Sequence, residues 1–394
     1  MHKIHFFLAT LLLLSAASCQ RKQGDSAVVD GDTIALRYAK NLTIVKRDGY
    51  TEVSLADPWH SGKNLCTYLL VERGADVPKR AGTIVRVPLE RALMFTSAHS
   101  QLLCDLGAMN QIGSACDAKY ILNETLQQRI RSGAIVDCGD AMAPNYEKIV
   151  VANPDAILLS PFENSGFGRL ETMQIPLIFC ADYMEGTPLG RAEWMIFYGM
   201  LVGKEREARE RFAQVAATYS QLKARAQQLG VGRKVLTERK TGSVWYCPAG
   251  RSPIAQIIRD ANGVYPFADD EHAGSLSLTA EEVIGNASDC DVWLIKYHGK
   301  RPLSKHELLA EYHGYNKIKA FQTGTVFQCN TTETPYFDEV SFRPDLLLRE
   351  MMIILHPNQQ DLGRLRYYSE GFGAISIDEA SERKRDNGRT ADAA

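Results

Sequence analysis

Hydrophobic residues recur at helical spacing from residue 187 to residue 230, and this stretch divides the chain. Thr187 and Pro188 are typical of a helix start, since the threonine caps the first turn and proline fits into it. Gly203 predicts a break and Gly230 predicts a helix end. The second helix would be roughly 40 Å long at about 1.5 Å per residue. Its length predicts a rigid connection between two globular halves, and a long surface helix of one domain is the alternative.

Two segments before this stretch alternate apolar and polar residues in the manner of β-strands. They cover residues 34–55 and 64–72, with a turn predicted at Asp48 and Gly49. We expect them to form an antiparallel, β-rich lead-in to the rest of the chain.

Short apolar strands that are each followed by a helix begin at residue 83, and the same alternation returns after residue 230. Such alternation is typical of a mainly parallel sheet with helices on both faces. The predicted fold class is therefore α/β, with two Rossmann-like lobes of mainly parallel sheets, a long rigid α-helix joining them and a ligand cleft between them. The predicted strands are 92–96, 135–138, 156–159, 176–180, 234–238, 291–295 and 325–329, and the predicted helices are 97–107, 145–152, 168–173, 253–261, 279–287, 303–311 and 344–355.

The N-terminus has an apolar run over residues 4–14, which is too short to anchor a chain across a bilayer. Small residues at 15–18 then precede Cys19. This arrangement is similar to a bacterial lipoprotein signal, which implies cleavage before Cys19 and acylation of its thiol. The acyl chains would hold the protein on a membrane. A plain secretory signal with a chance cysteine is the alternative.

These boundaries predict six consecutive regions. They are a signal peptide at 1–19, a tether and β-rich lead-in at 20–82, an N-terminal α/β lobe at 83–186, connecting helices at 187–230, a C-terminal α/β lobe at 231–358 and a C-terminal tail at 359–394, with residues 381–394 expected to be disordered.

Composition and motifs narrow the function further. The chain has 394 residues, of which 45% are hydrophobic, and a formal charge of −2, so nothing favours nucleic-acid binding. It contains no GxSxG, HExxH or phosphate-loop motif, and no GxGxxG follows a strand. The histidines show neither HxH nor HxxxH spacing. We therefore expect no catalytic residues, no fixed metal site and no cofactor. Cys104 and Cys180 lie in apolar runs, which favours buried free thiols.

Ligands of parallel α/β sheets bind at the carboxyl ends of the strands. The loops at these ends carry aromatic residues and a few polar ones, which suit a bulky and partly apolar ligand. Local packing of each aromatic residue is the alternative. The predicted ligand-binding residues are His99, Tyr120, Phe162, Tyr183, Arg239, Trp245, Tyr297 and Tyr336, and the same loops carry Asn164, Glu185, Tyr246, His298 and Phe337.

Four motifs in a fixed order resemble a known family. They are NYEKI at 145–149 with NPDAIL at 153–158, PLGRAEW at 188–194 with GKE at 203–205, LTAEEV at 278–283 before DVW at 291–293, and RPDL at 343–346 with LHP at 355–357. Arranged around a long helix, they resemble the bilobal substrate-binding lipoproteins of ABC importers for iron-siderophore, haem and vitamin B12, the class III periplasmic binding proteins.

The resemblance implies a monomeric, non-enzymatic protein of the periplasm, anchored by its N-terminal lipid. Such a protein captures a metal chelate and delivers it to an ABC permease and its ATPase. By the same resemblance, Glu147 and Glu281 would dock on arginines of the permease, in keeping with the strength of carboxylate–guanidinium pairs.

A ferric siderophore is the ligand that we expect, with Arg239, Trp245 and Tyr183 around it. Haem is an alternative, with an axial ligand from the set His99, Tyr297 and His298. Vitamin B12 is a further alternative, although the aromatic positions that flank it in its dedicated binding protein correspond here to Ala141 and Ser160. Outside transport, a metal-dependent enzyme and a surface glycan-binding lipoprotein remain open.

Overall fold

The structure is a computed structural model that describes residues 31–164 and 166–372. The predicted signal peptide, the lipidation site Cys19 and the predicted disorder at 381–394 lie outside the described residues. All eight cysteines within the described ranges are free thiols. Cys180 is buried, as expected, and Cys104 is half-buried.

A sheet with the order β1-β2-β3-β4-β5 forms the lead-in. Its first four strands pair antiparallel, as predicted, and the turn lies at Asp48 and Gly49. β5 pairs parallel to β4, so residues 83–87 belong to this sheet and not to the following lobe. The alternation of residues within one strand does not reveal which strand pairs with it. The bounds are β1 Asp32–Ile34, β2 Leu42–Arg47, β3 Tyr50–Ala56, β4 Asn64–Glu72 and β5 Thr83–Val87.

The N-terminal lobe is built on a parallel sheet with the order β12-β11-β6-β7-β8. Two helices of this lobe begin at or beside the predicted residue: Asn145 caps α3, and Thr96 caps α1. The bounds are β6 Ala92–Met94, α1 Ser97–Asp105, β7 Ile112–Ala115, α2 Glu124–Arg131, β8 Val136–Asp137, β9 Gly139–Asp140, β10 Ala143–Pro144, α3 Tyr146–Ala152, β11 Ala156–Leu159, α4 Arg169–Thr172 and β12 Leu177–Phe179.

Three helices connect the lobes: α5 Pro188–Glu193, α6 Met195–Leu201 and α7 Glu205–Gln227. α7 has 23 residues and is about 35 Å long. Its buried side chains belong to two different cores. Ala208 and Phe212 pack in the N-terminal core, whereas Val215, Tyr219 and Ala226 pack in the C-terminal core. One continuous helix is thus fixed in both lobes.

The C-terminal lobe repeats the α/β arrangement, with β13, β17 and β18 parallel, so the predicted fold class is confirmed. β19 adds an antiparallel strand to β18, which places residues 369–370 in the lobe and not in a tail. The bounds are β13 Val235–Thr237, β14 Lys240–Thr241, β15 Val244–Pro248, α8 Pro253–Asp260, β16 Ser275–Leu278, α9 Ala280–Ala287, β17 Val292–Tyr297, α10 Lys305–Glu311, α11 Lys319–Thr323, β18 Val326–Asn330, α12 Tyr336–Glu339, α13 Pro344–Leu355 and β19 Ser369–Glu370.

Buried carboxylates attach the lead-in to the connecting helices. Glu193 of α5 accepts hydrogen bonds from the backbone N–H groups of Arg37, Tyr38 and Ala39 at 2.7–2.9 Å. Glu185 does the same for the N–H groups of residues 40 and 41 at 2.9–3.0 Å. Such charge-assisted bonds are stronger than neutral ones. The lead-in is therefore fixed to the base of the connecting helices.

Candidate ligand-binding site

A cavity of about 540 Å³ lies between the two lobes. Its N-terminal wall comes from residues that follow β6, β11 and β12, and its C-terminal wall from residues at the ends of β13 and β17 and from α12. These are carboxyl ends of parallel strands, where open α/β sheets bind ligands. The volume falls within the usual range of small-molecule sites.

His99 lies in the first turn of α1 at the edge of this cavity and is 5% exposed. Burial alone would lower its pKa, but the neighbouring Cys180 and Asp182 raise the pKa of His99 to about 10. The ring is therefore protonated at neutral pH. Its Nε2 donates to Asp182 Oδ1 at 2.8 Å, and its Nδ1 lies 2.5 Å from Thr96 Oγ1. Both ring nitrogens are thus engaged within the protein.

Asp182 is the centre of a fully buried polar cluster. Besides His99, it accepts hydrogen bonds from the hydroxyl of Tyr198 at 2.7 Å and from Nε of Arg191 at 3.1 Å. Burial alone would raise the pKa of Asp182, but the charges of His99 and Arg191 and these hydrogen bonds lower it to about 2. The ionised carboxylate orients Arg191 at the cavity wall.

Two arginines line the cavity, Arg191 from α5 and Arg239 from the end of β13, and each side chain is 30% exposed. Arg239 forms an ion pair with Glu311 through Nη1. Its buried Nε has no hydrogen-bond partner among the described residues. Guanidinium groups suit oxygen-rich anionic ligands, because they present several donors in one plane.

A second, half-buried ion pair lies in the C-terminal wall. Glu238 adopts a left-handed backbone conformation, with φ of 62°, which is uncommon outside glycine. Its backbone is held by hydrogen bonds to Leu294 and Trp293, and its carboxylate pairs with Lys296. The ammonium of Lys296 lies 5.1 Å from the ring centroid of Tyr336. The charges of Glu238 and Lys296 in this wall therefore neutralise each other.

Aromatic side chains complete the cavity. Tyr246 and Phe337 are 49% and 57% exposed, and Tyr183 donates a hydrogen bond from its hydroxyl to the carbonyl of Pro161 at 2.5 Å. Of the predicted ligand-binding residues, His99, Tyr183, Arg239 and Tyr336 line this cavity.

The other predicted residues lie elsewhere. Trp245 is fully buried, its indole N–H donates to the carbonyl of Thr237 at 3.3 Å, and Tyr246 occupies the cavity wall in its place. Tyr297 is 6% exposed and does not line the cavity. Strand alternation explains the first difference, because neighbouring side chains of β15 point to opposite faces.

Two further predicted residues flank the cavity. Tyr120 is half exposed, and its ring lies 6.3 Å from that of His298 in the opposite lobe. Phe162 lies in a neighbouring groove, with its ring 6.4 Å from that of Tyr183. These contacts place both residues next to the cleft without making them part of its main wall.

The family described as periplasmic binding protein matches residues 95–332, more than half of the chain and most of both lobes. The chain belongs to the periplasmic binding protein family. This confirms the resemblance that the four motifs indicated. The members are substrate-binding proteins of transport systems, so this periplasmic binding protein is not an enzyme.

An uncharacterized lipoprotein of Methanocaldococcus jannaschii is 26% identical over 359 residues, which cover 82% of each chain. Among solved structures, a periplasmic heme binding protein of Pseudomonas aeruginosa has a TM-score of 0.56 at 14% identity, covering 73% of this chain and 99% of that one. The Fe3+-Desferal bound siderophore binding protein FhuD of Vibrio cholerae has a TM-score of 0.51 at 16% identity, covering 68% and 99%. At these identities the structures establish the common fold.

The predicted docking residues of this periplasmic binding protein, Glu147 and Glu281, occupy equivalent positions in the two lobes. Each is exposed and is the second residue of its helix, α3 capped by Asn145 and α9 capped by Thr279. A carboxylate in the first turn is stabilised there by the helix dipole. Their function as docking residues remains a prediction.

Sequence reasoning missed four charged residues of the cavity, namely Asp182, Arg191, Glu238 and Lys296. Tyr183 was selected because ligands bind at the carboxyl ends of parallel strands, and the same rule indicates Asp182 beside it and Glu238 at the end of β13. Arg191 lies inside a helix, and its approach to Asp182 depends on how α5 packs, so no local signal identifies it.

Within residues 31–164 and 166–372, no group of three or more histidine, cysteine or acidic residues is arranged to hold a metal ion. None of the helices in these ranges combines the length and the hydrophobicity needed to cross a bilayer.

Proposed function

We propose that this periplasmic binding protein captures a ferric siderophore in the cavity between its lobes and delivers it to an ABC permease and its ATPase. It acts as a monomer on the outer side of the transporting membrane, anchored through the lipid on Cys19. The M. jannaschii relative carries the name lipoprotein, which supports the anchor.

The pair of arginines in the cavity carries this proposal. Arg191 is oriented by a buried carboxylate, and Arg239 retains a buried Nε without a partner in the described structure. Each of the two side chains is 30% exposed, so its outer guanidinium N–H groups can donate to an acceptor bound in the cavity. The oxygen ligands of a ferric chelate are acceptors of this kind, and the chelate brings its own metal ligands.

Tyr246 and Phe337 supply half-exposed aromatic faces beside these arginines. Such faces suit the organic scaffold of a siderophore, whose apolar parts they would remove from water. The state of His99 also favours a preformed chelate over haem, because an imidazolium with both nitrogens hydrogen-bonded cannot serve as an axial ligand.

A binding assay with the whole protein tests the proposal. Quenching of the intrinsic fluorescence would be titrated with ferric tris-hydroxamate, tris-catecholate and citrate complexes, haemin and cyanocobalamin. Arg191→Gln and Arg239→Gln should each weaken binding of the preferred ferric chelate about tenfold or more, since a hydrogen bond to a charged group contributes about 1.5–3 kcal/mol. Arg209→Gln, on the surface of α7, is the matched control and should not change affinity. Tight binding of haemin or cyanocobalamin with no binding of any ferric chelate would contradict the proposal.

Haem is the second candidate, and Tyr246 is the observation that favours it. This half-exposed tyrosine lies in the cavity wall, and a tyrosine oxygen is a known axial ligand of haem iron. A haemin complex whose visible spectrum changes in Tyr246→Phe would support this alternative. A spectrum that is identical in both proteins would exclude Tyr246 as the ligand.

A further inference from the structure

A second cavity of about 420 Å³ adjoins the main one on the side of the N-terminal lobe. We call it the side groove. It is lined by Phe95, Thr96, Ala141, Met142, Pro144, Tyr146, Leu159, Ser160, Phe162, Phe167, Leu170 and the glycines 166 and 168.

The side groove is apolar, in contrast to the main cavity. Its lining residues in the described structure include no charged side chain, whereas the main cavity contains Arg191, Arg239 and Lys296. Leu159 and Leu170 are 2% and 4% exposed and belong to a packed core cluster, so this part of the lining is a fixed surface.

Two large apolar side chains in the lining are exposed to solvent. Met142 is 86% exposed and Phe162 is 56% exposed. Exposed apolar groups that converge on a concave surface mark a binding region more often than scattered ones do. Methionine is also adaptable in shape, and its flexible side chain fits ligands of varied form.

The side groove shares part of its wall with the main cavity. Thr96 and Ser160 line both. The ring of Phe162 in the side groove lies 6.4 Å from that of Tyr183 in the main cavity, and Tyr183 is fixed by its hydrogen bond to the carbonyl of Pro161. A ligand seated among the arginines would pass only the two small hydroxyl side chains of Thr96 and Ser160 to reach the side groove.

We propose that the ligand is amphiphilic: its chelating head lies in the main cavity, and an apolar arm, such as an acyl chain or an aryl group, lies in the side groove. This inference rests on the proposed function. It narrows the ligand class from ferric siderophores in general to those with an apolar substituent. The wall shared by the two cavities favours an arm of the same ligand over a separate partner molecule.

The test compares two ligands that differ only in the arm. The ferric complexes of N-acetyl and N-octanoyl desferrioxamine share the same hydroxamate head and the same charge. Their dissociation constants would be measured with the wild-type protein and with the double variant Met142→Ser/Phe162→Ser. Val150→Ser/Val151→Ser is the matched control, because both valines are exposed on α3 and neither lines the side groove.

The wild-type protein should bind the octanoyl complex at least about tenfold more tightly than the acetyl complex, because each buried CH₂ contributes about a factor of four in affinity. In the Met142→Ser/Phe162→Ser variant this ratio should fall towards one, because the affinity for the octanoyl complex falls much further than the affinity for the acetyl complex. The valine variant should keep the wild-type ratio.

Equal affinities of the wild-type protein for the two complexes would overturn the inference and leave the proposed function standing. A ratio that is unchanged in the Met142→Ser/Phe162→Ser variant would also overturn it, since the arm would then lie elsewhere. If neither these complexes nor the other ferric chelates bind, the proposed function itself fails.

Discussion

Replacing Asp182 by asparagine removes the charge that His99, Tyr198 and Arg191 share. The carboxylate is fully buried and accepts hydrogen bonds from all three side chains at 2.7–3.1 Å. Asparagine has nearly the same shape but only one acceptor oxygen, and its amide hydrogens would face existing donors. The substitution therefore leaves a buried imidazolium without its counterion.

Two physical arguments set the expected loss in stability. Breaking a buried ion pair by removing one partner costs about 3–5 kcal/mol. Loss of one or two of the three charge-assisted hydrogen bonds, at about 1.5–3 kcal/mol each, gives a similar figure. Tyr198→Phe keeps the ring and removes one of these hydrogen bonds, so it should lower the free energy of unfolding by only about 1.5–3 kcal/mol.

Urea denaturation followed by circular dichroism measures these differences as shifts of the midpoint at constant slope. Asp105→Asn is the matched control, because Asp105 pairs with Arg211 in a half-exposed position. A partly solvated pair of this kind contributes about 1 kcal/mol or less.

Ligand affinity provides a second readout, because Asp182 positions Arg191 at the cavity wall. Asp182→Asn should weaken binding of the preferred ferric chelate, whereas Asp105→Asn should not. A loss of stability no larger than that of Asp105→Asn would refute the idea that the buried charge stabilises the fold. Unchanged affinity in a folded Asp182→Asn protein would refute the positioning role.

Three further predictions concern pH, the lead-in and transport. The pKa of His99 is raised from 6.5 to about 10 in the folded protein, so its contribution to stability is fully present below pH 6.5 and is lost as pH rises through about 10. The difference in unfolding free energy between wild type and His99→Gln should therefore shrink between these two pH values. A constant difference would contradict the raised pKa of His99. Glu193→Gln should lower the free energy of unfolding by about 2–4 kcal/mol, because it weakens three hydrogen bonds to the lead-in backbone. Limited proteolysis of this variant should cut the lead-in first. Glu207→Gln, at an exposed side chain, is the control and should leave both the unfolding free energy and the cleavage pattern nearly unchanged. Charge reversal at both Glu147 and Glu281 should abolish uptake of the ligand by whole cells while leaving its affinity for the purified protein intact, and normal uptake would remove these residues from the docking surface.

Local signals were sufficient for the individual elements. Thr187 caps a helix as predicted, with Pro188 in its first turn, and the first residues of two predicted helices, Asn145 and Thr279, are their N-caps. The spacing of apolar residues distinguished strands from helices in both lobes, because each period reflects a single element and its buried face. The order of these elements, with a long helix between them, was enough to indicate the bilobal fold.

The polar groups of the site are set by contacts between residues that lie far apart in the chain. His99 meets Asp182 across 83 residues, and Glu238 meets Lys296 across 58. No periodic pattern encodes such pairings, since they depend on how the lobes and connecting helices pack. The polar cluster and the arginine that it orients therefore emerged only from the tertiary structure.

Trp245 and Tyr246 show most clearly what the sequence indicates and what only the tertiary structure decides. The sequence by itself indicated that two large rings lie near the cleft and placed them in a loop, whereas in the structure both lie on β15. Which ring enters the core was decided by the register of β15, where Trp245 packs against Trp293 and Tyr315 while Tyr246 faces the cavity. A shift of one residue exchanges the two faces of a strand, and only the pairing with neighbouring strands fixes it.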